Sequence, residues 1–375
     1  MIDSRIEAAR VAAGLPGVAV IAGTVDSILH SGAYGMRGEA AMTLDSVGRI
    51  ASMTKAIVAA TALRVVAQGR LSLDGSISEV IPELASPNIL TGFSDAGEPI
   101  LRPAQRAITL RHLLTHSAGF GYDTWNADFR RYLEVLGRGR MPANPDELRT
   151  TPLLFEPGER WNYGINIEMV GLAIERAMGR PLYEVVADEI TIPLEMADTS
   201  FLPGPEHVSR LIPLGQRGAD GAISTSNPPV PTSLPFVYGG GNLFSTAPDY
   251  LIFLQAVMRG DLLPPALQAE FLRPQLPASP AIGQLKSLDK PRSNDCDLFD
   301  GMPMSWSLAF LMNTQTTPQG RSAFSHCWAG VNNSYYWIDL ARGVCGVVMA
   351  QLLPFADPGA IAVARAYEAA VNGVA

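Results

Sequence analysis

Lysine is almost missing from this chain. Of its 28 lysines and arginines only Lys55, Lys286 and Lys290 are lysine. Cysteine is scarce too. Cys296, Cys327 and Cys345 show no C-x-x-C spacing, which excludes a disulfide framework and a zinc ribbon. An odd, sparse set fits a reducing compartment, so a cytoplasmic location is expected. The start, Met1-Ile2-Asp3-Ser4-Arg5, lacks a basic segment leading into an apolar one, and no secretory leader is expected. No clean apolar run is long enough to span a bilayer. The longest, Val344 to Phe355, contains Gln351 and is broken by Pro354, and reads as a buried strand and its exit. Charge is sparse, at 17% of residues, and its net value of -8 argues against nucleic acid and anionic membrane surfaces as partners. What is plentiful is apolar residues, at 47% of 375 residues. That is ample for a large core, and the length suggests two or more lobes.

The rarity of lysine gives Lys55 its meaning. Arginine keeps its proton inside a protein, whereas a buried lysine can release it and act as a base. Lys55 stands three residues after Ser52 in Ala51-Ser52-Met53-Thr54-Lys55, at the head of an apolar helix running from Ala56 to Ala67. Residues i and i+3 share a helix face, so hydroxyl and amine can approach each other. A serine beside a base is the arrangement for nucleophilic catalysis. The ordinary alternative is a serine N-cap with its lysine reaching to solvent. A second copy of the spacing, Ser287-Leu288-Asp289-Lys290, has no apolar helix behind it and reads as a solvated loop.

The chain alternates character along its length. An amphipathic helix over about 3–14 ends at Pro16-Gly17. Val18 to Ala22 is a continuous apolar run suited to a central strand, which Ser27 to His30 can pair with. Helical signals dominate from 72 to about 230, for example Leu110 to Leu114, Asp128 to Leu136 and Ile167 to Ala177. Residues 201–236, rich in proline and glycine, read as a long connection. After a turn at Gly239-Gly240-Gly241, Thr246 caps a helix. Trp306 to Leu311, Ser334 to Ile338 and Val344 to Met349 then read as strands, and a helix from about Pro358 to Val371 closes the chain. The expected fold is α+β: an antiparallel sheet flanked by helices, formed by 1–71 and 237–375, with a mainly helical insert over 72–236. The site is expected in the cleft between them.

A serine–lysine pair needs a second proton carrier, an oxyanion hole and an acyl pocket. Tyr163, in Trp161-Asn162-Tyr163-Gly164-Ile165-Asn166, can carry the proton. Trp328-Ala329-Gly330-Val331 precedes a strand, and its small residues allow close backbone approach. The Val331 N–H can then join that of Ser52 as an oxyanion hole. A buried tyrosine and a plain turn are the ordinary readings of these two segments. No G-x-S-x-G occurs, which sets aside an α/β-hydrolase elbow. His112 and His116 have zincin spacing, but Leu113 stands where the catalytic glutamate belongs, and no metal or cofactor is expected.

Together Ser52-Met53-Thr54-Lys55, Tyr163 and Trp328-Ala329-Gly330 resemble the serine β-lactamase and penicillin-recognising superfamily. So do Phe155-Glu156-Pro157-Gly158, Leu110 to Phe120 and Gly239 to Ser245. The likeness covers about residues 16–355 and is greatest to the class C-like esterases called family VIII carboxylesterases. It implies an acyl-enzyme on Ser52, with Lys55 and Tyr163 moving its proton and the Ser52 and Val331 amides holding the oxyanion. Which of Lys55 and Tyr163 is the base stays open. Two departures bear on substrate. Class C enzymes carry Lys-Thr-Gly where this chain has Trp328-Ala329-Gly330, so weak recognition of an anionic ring is expected. Ile165 stands where those enzymes have asparagine, with Asn166 one place late, which suits an ester's acyl chain. His326, two residues before Trp328, is a further candidate to reach the cleft. The resulting expectation is a carboxylesterase acting on small or short-acyl esters. A β-lactamase, a D-amino-acid peptidase, an acyltransferase and a non-catalytic binding relative are the alternatives.

Overall fold

The computed structural model describes residues 2–233 and 238–374. Its centre is an eight-stranded antiparallel sheet. The strands are β1 (Gly17–Gly23), β2 (Ile28–Arg37), β3 (Ala40–Ala41), β4 (Met304–Trp306), β5 (Leu311–Asn313), β6 (His326–Gly330), β7 (Ser334–Asp339) and β8 (Val344–Met349), in the order β4-β5-β6-β7-β8-β1-β2-β3. The first and last parts of the chain meet where β1 pairs with β8, Val20 opposite Val348. All seven residues of β1 are buried. A strand hidden on both faces reads as an unbroken apolar run, which is how Val18 to Ala22 appears in the sequence.

Helices cover the sheet. α1 (Ile2–Ala12) packs against the C-terminal α5 (Pro358–Val371), and α4 (Ala247–Arg259) lies over β1 and β8. Thr246 caps α4 through its hydroxyl, which accepts the Asp249 N–H as expected. α2 (Thr54–Ala67) is buried around most of its circumference and packs on α3 (Asn166–Met178). One contiguous apolar core joins these helices to the sheet.

Three local expectations change. The run Trp306 to Leu311 is not one strand. Ser307 folds it back, its hydroxyl accepting the N–H groups of Ala309 and Phe310, so two short strands result. The middle of the chain also holds a β-hairpin, Asn88–Phe93 with Pro99–Pro103, turned by Ser94 to Gly97. Finally, 201–236 is more than a connection. Leu214–Arg217 and Ile223–Ser226 form a hairpin, and the first of these strands pairs in parallel with Leu352–Leu353. The expected boundary at 236/237 lies outside the described residues.

Candidate active site

Ser52 does not open the α-helix. It sits one turn earlier, in a 3-10 turn over Ala51–Met53 that runs into α2. Ala51 holds φ at 46°, a left-handed conformation costing a residue with a side chain about 1–3 kcal/mol. The surroundings enforce it. Ile50 N–H donates to the Leu243 carbonyl (3.0 Å), and Tyr250 Oη donates to the Met53 carbonyl (2.9 Å). Gly330 lies against the other side: a Cβ there would be 2.5 Å from the Ile50 oxygen. Only glycine allows β6 to end so close to the turn, and this places Val331 beside Ser52.

Lys55, expected to point at Ser52, does so. The residue is 3% exposed, and Nζ donates to Ser52 Oγ (3.1 Å) and to the Gly240 carbonyl (2.7 Å). It also faces two rings, 5.4 Å from the centre of Tyr122 and 5.1 Å from that of Tyr163. Cations are attracted to such ring faces. The solvated-loop reading of the second Ser-x-x-Lys copy also holds, since Lys290 is exposed and paired with Asp295.

Tyr163 is buried among aromatic neighbours: His116 (4.8 Å between ring centres), Trp328 (5.0 Å), Tyr122 (5.4 Å) and Trp125 (5.5 Å). Trp328 Nε1 donates to its hydroxyl oxygen (3.1 Å). Trp328 therefore braces Tyr163 from behind, and Trp306 braces Trp328 in turn (5.0 Å). A cavity of about 400 Å³ opens in front. Ser52, Tyr122, Asp123, Glu168, Arg292 and Val331 are among its lining residues. Lys55 and Tyr163 lie just behind that wall.

Other expected site residues do not reach the cavity. Ile165 and Asn166 are fully buried at the start of α3, where Asn166 Nδ2 meets His116 Nδ1 at 3.0 Å. Ala329 is buried in β6, and Gly330 is covered by the Ser52 turn. His326 points elsewhere, its Nε2 2.7 Å from the Leu272 carbonyl and its ring against Phe310. Burial lowers the His326 pKa to about 4. Strand alternation sends His326 and Trp328 to the same face, but only Trp328 lies beneath the site. His112 caps a short helix through Thr109, away from His116. Among the described residues no cluster could hold a metal ion.

Two residues the sequence reading missed shape the cavity. Tyr122 Oη donates to Glu168 Oε1 (2.8 Å), and both are buried. Burial pushes both pKa values up; for Tyr122 the neighbouring carboxylate adds to this, while for Glu168 the Lys55 charge pulls back. A lone carboxylate inside the apolar run Ile165-Asn166-Ile167-Glu168-Met169-Val170 was the available signal. Positive charge is present as well. Arg49 lines the cavity with its guanidinium on the Phe244 ring, while Arg140 is held by Asp289 and Asp123. Arg292 stands at the exposed rim.

The sequence matches the Beta-lactamase family over residues 2–370. The chain belongs to that family. It is 30% identical over 315 residues to a lovastatin esterase of Penicillium rubens, covering 81% of this chain and 79% of that one. To a monacolin J acid methylbutanoyltransferase of Aspergillus terreus it is 27% identical, over 88% and 83% of the two chains. Simvastatin synthase from Aspergillus terreus, in a mutant form, superposes with a TM-score of 0.86 at 25% identity, over 99% and 94% of the chains. EstCE1, a hydrolase with promiscuous acyltransferase activity, shares the fold at 18% identity, with a TM-score of 0.78 over 98% of each chain. Among the described residues no helix is long and apolar enough to cross a membrane.

Proposed function

We propose that this protein is a serine acyltransferase with ester-hydrolysing capacity, forming its acyl-enzyme on Ser52. The observation that carries the reading is Ser52 on the wall of a roughly 400 Å³ cavity with the buried Lys55 amine 3.1 Å from its Oγ. Ser52 Oγ attacks the carbonyl of an ester and passes its proton into the Lys55–Tyr163 pair. The Ser52 and Val331 N–H groups face the oxyanion. The proton returns to the departing alcohol. A second hydroxyl, on an acceptor or on water, then attacks the acyl group, gives up its proton to the same pair and frees Ser52.

The cavity favours an acceptor over water alone. Its volume falls in the range of sites for drug-sized molecules, well beyond a short acyl chain. The similarity to a methylbutanoyltransferase and to an esterase points the same way, and moves the reading from plain carboxylesterase toward transfer. The charge that Trp328 does not supply is available at the rim from Arg292, so an acceptor bearing a carboxylate fits better than the third motif alone suggested. Small-molecule esters and alcohols are the proposed partners, with no nucleic acid and no membrane. A cytoplasmic location belongs to the same proposal, supported by three unpaired cysteines.

The test is to supply p-nitrophenyl butyrate with rising concentrations of a bulky alcohol and separate butyrate from the butyrate ester. Transfer predicts that the ester product grows at the expense of free butyrate. Free butyrate alone, at every acceptor concentration and for every alcohol tried, would return the reading to a plain esterase.

A further inference from the structure

Of the two buried acids on the cavity wall, Asp123 is paired with Arg140, whereas Glu168 has neither an ion-pair partner among the described residues nor a part in the acyl chemistry above. Glu168 comes from the first turn of α3. Its Oε1 accepts the Tyr122 hydroxyl, while its Oε2 is buried and has no hydrogen-bond partner among the described residues. A buried carboxylate oxygen left unpaired is costly, and native proteins rarely keep one without a reason. Three contacts connect it to Lys55. The ring of Tyr122, whose hydroxyl Glu168 holds, faces the Lys55 amine. The Gly239–Gly241 turn, whose Gly240 carbonyl accepts the Lys55 amine, lies against the carboxylate: a Cβ on Gly240 would be 2.5 Å from Oε1. Gly239 likewise lies on α3, where its Cβ would be 2.4 Å from the Ile167 oxygen. The turn that receives the amine is thus moulded around the acid.

We propose that Glu168 is a positioning residue for Lys55, fixing the place and charge of the amine through the Tyr122 ring and the Gly239–Gly241 turn. The inference rests on the serine-lysine reading of the site. A buried amine that carries a proton at any point of the cycle needs a compensating negative charge, and Glu168 supplies it from within the core. The other polar groups around the amine do not. Tyr163 and Tyr122 present ring faces, and His116 is held neutral by burial and by Lys55 itself. Asp123 is committed to Arg140, and Arg292 bears on Tyr122 with the wrong sign. Tyr238 feels the negative charge of both Glu168 and Glu147, which push its pKa up, and supplies no charge to the amine. With the carboxylate absent the site loses a negative charge, and the proton that limits one limb of the kcat/KM profile leaves at lower pH.

The experiment compares kcat/KM against pH for wild type, Glu168→Gln and Tyr122→Phe on p-nitrophenyl butyrate, with intact mass of the acyl-enzyme recorded in each. Glu168→Gln keeps shape and removes charge. It is expected to move one limb toward lower pH by roughly one unit, the low end for opposite charges close together. Tyr122→Phe removes the donor that favours the carboxylate and is expected to move the same limb in the same direction by less. Should Glu168→Gln fail to fold, the Tyr122→Phe profile decides. A uniform loss of rate with both limbs unmoved, or a shift to higher pH, would overturn the proposal and leave Glu168 a packing residue. Ser52→Ala, run beside them, keeps the two ideas apart. Turnover that survives in Ser52→Ala, or an adduct mapping to another residue, would sink the Ser52 reading itself, whereas turnover lost there with an unmoved Glu168→Gln profile would sink only the role of Glu168.

Discussion

Trp328 offers a sharp test, because its structural role differs from the one its sequence position suggests. Trp328→Phe keeps an aromatic ring against Tyr163 and Trp306 but removes the indole N–H that reaches Tyr163 Oη at 3.1 Å. Both partners are buried, so water does not replace the lost donor. Leaving a buried oxygen without its partner costs about 1–3 kcal/mol. If that loss falls on the transition state, kcat/KM drops by about 5- to 150-fold, at 1.36 kcal/mol per factor of ten. The smaller ring also lowers stability by packing alone, so a second comparison is required. A double-mutant cycle with Tyr163→Phe isolates the hydrogen bond: the pair should lose less stability than the sum of the singles, by about 1 kcal/mol. The assays are ester turnover and urea unfolding. Wild-type turnover in folded Trp328→Phe, together with strictly additive stabilities, would refute the claim that the third motif acts by bracing Tyr163.

Other perturbations have equally definite outcomes. Ala51→Gly releases the φ of 46° and should raise stability by about 1 kcal/mol in thermal unfolding, offset partly by the freer unfolded chain. Gly330→Val should destabilise the protein and slow turnover at least tenfold, because its side chain meets the Ile50 carbonyl under Ser52; unchanged kinetics would contradict the close approach. Stability should fall as pH drops from about 6.5 to about 4. His326 is buried neutral with a pKa lowered to about 4, so the unfolded chain binds the proton first and is favoured across that window. His326 alone contributes roughly 3 kcal/mol at most, so His326→Gln should lessen the loss by up to that amount in urea unfolding at stepped pH and leave the share of His116, which is also buried neutral.

Much of the site was legible in the sequence because it is local. The Ser52–Lys55 pair lies on consecutive turns, and an amine in an arginine-using chain draws notice. The central strands were equally plain, since β1 and β8 are apolar on both faces. Tyr163 stood out by its place between the other two motifs. The errors share a cause: they concern where a side chain points once distant segments meet. Ile165 and Asn166 have the spacing of substrate contacts, yet α3 begins there and turns them into the core. His326 and Trp328 share a strand face, but the carbonyl of Leu272 captures the first and Tyr163 the second. Glu168 and Tyr122 lie 46 residues apart, and no local pattern announces their hydrogen bond. Ser307 broke a strand through a hydroxyl whose bonds form only after the chain has turned.

If Ser52 carries the acyl group, intact-mass and peptide mapping of the protein quenched during turnover of p-nitrophenyl butyrate will show one butyryl adduct, on the peptide containing Ser52, absent from Ser52→Ala together with all turnover. Turnover that continues in Ser52→Ala, or an adduct that maps to another residue, would contradict that assignment.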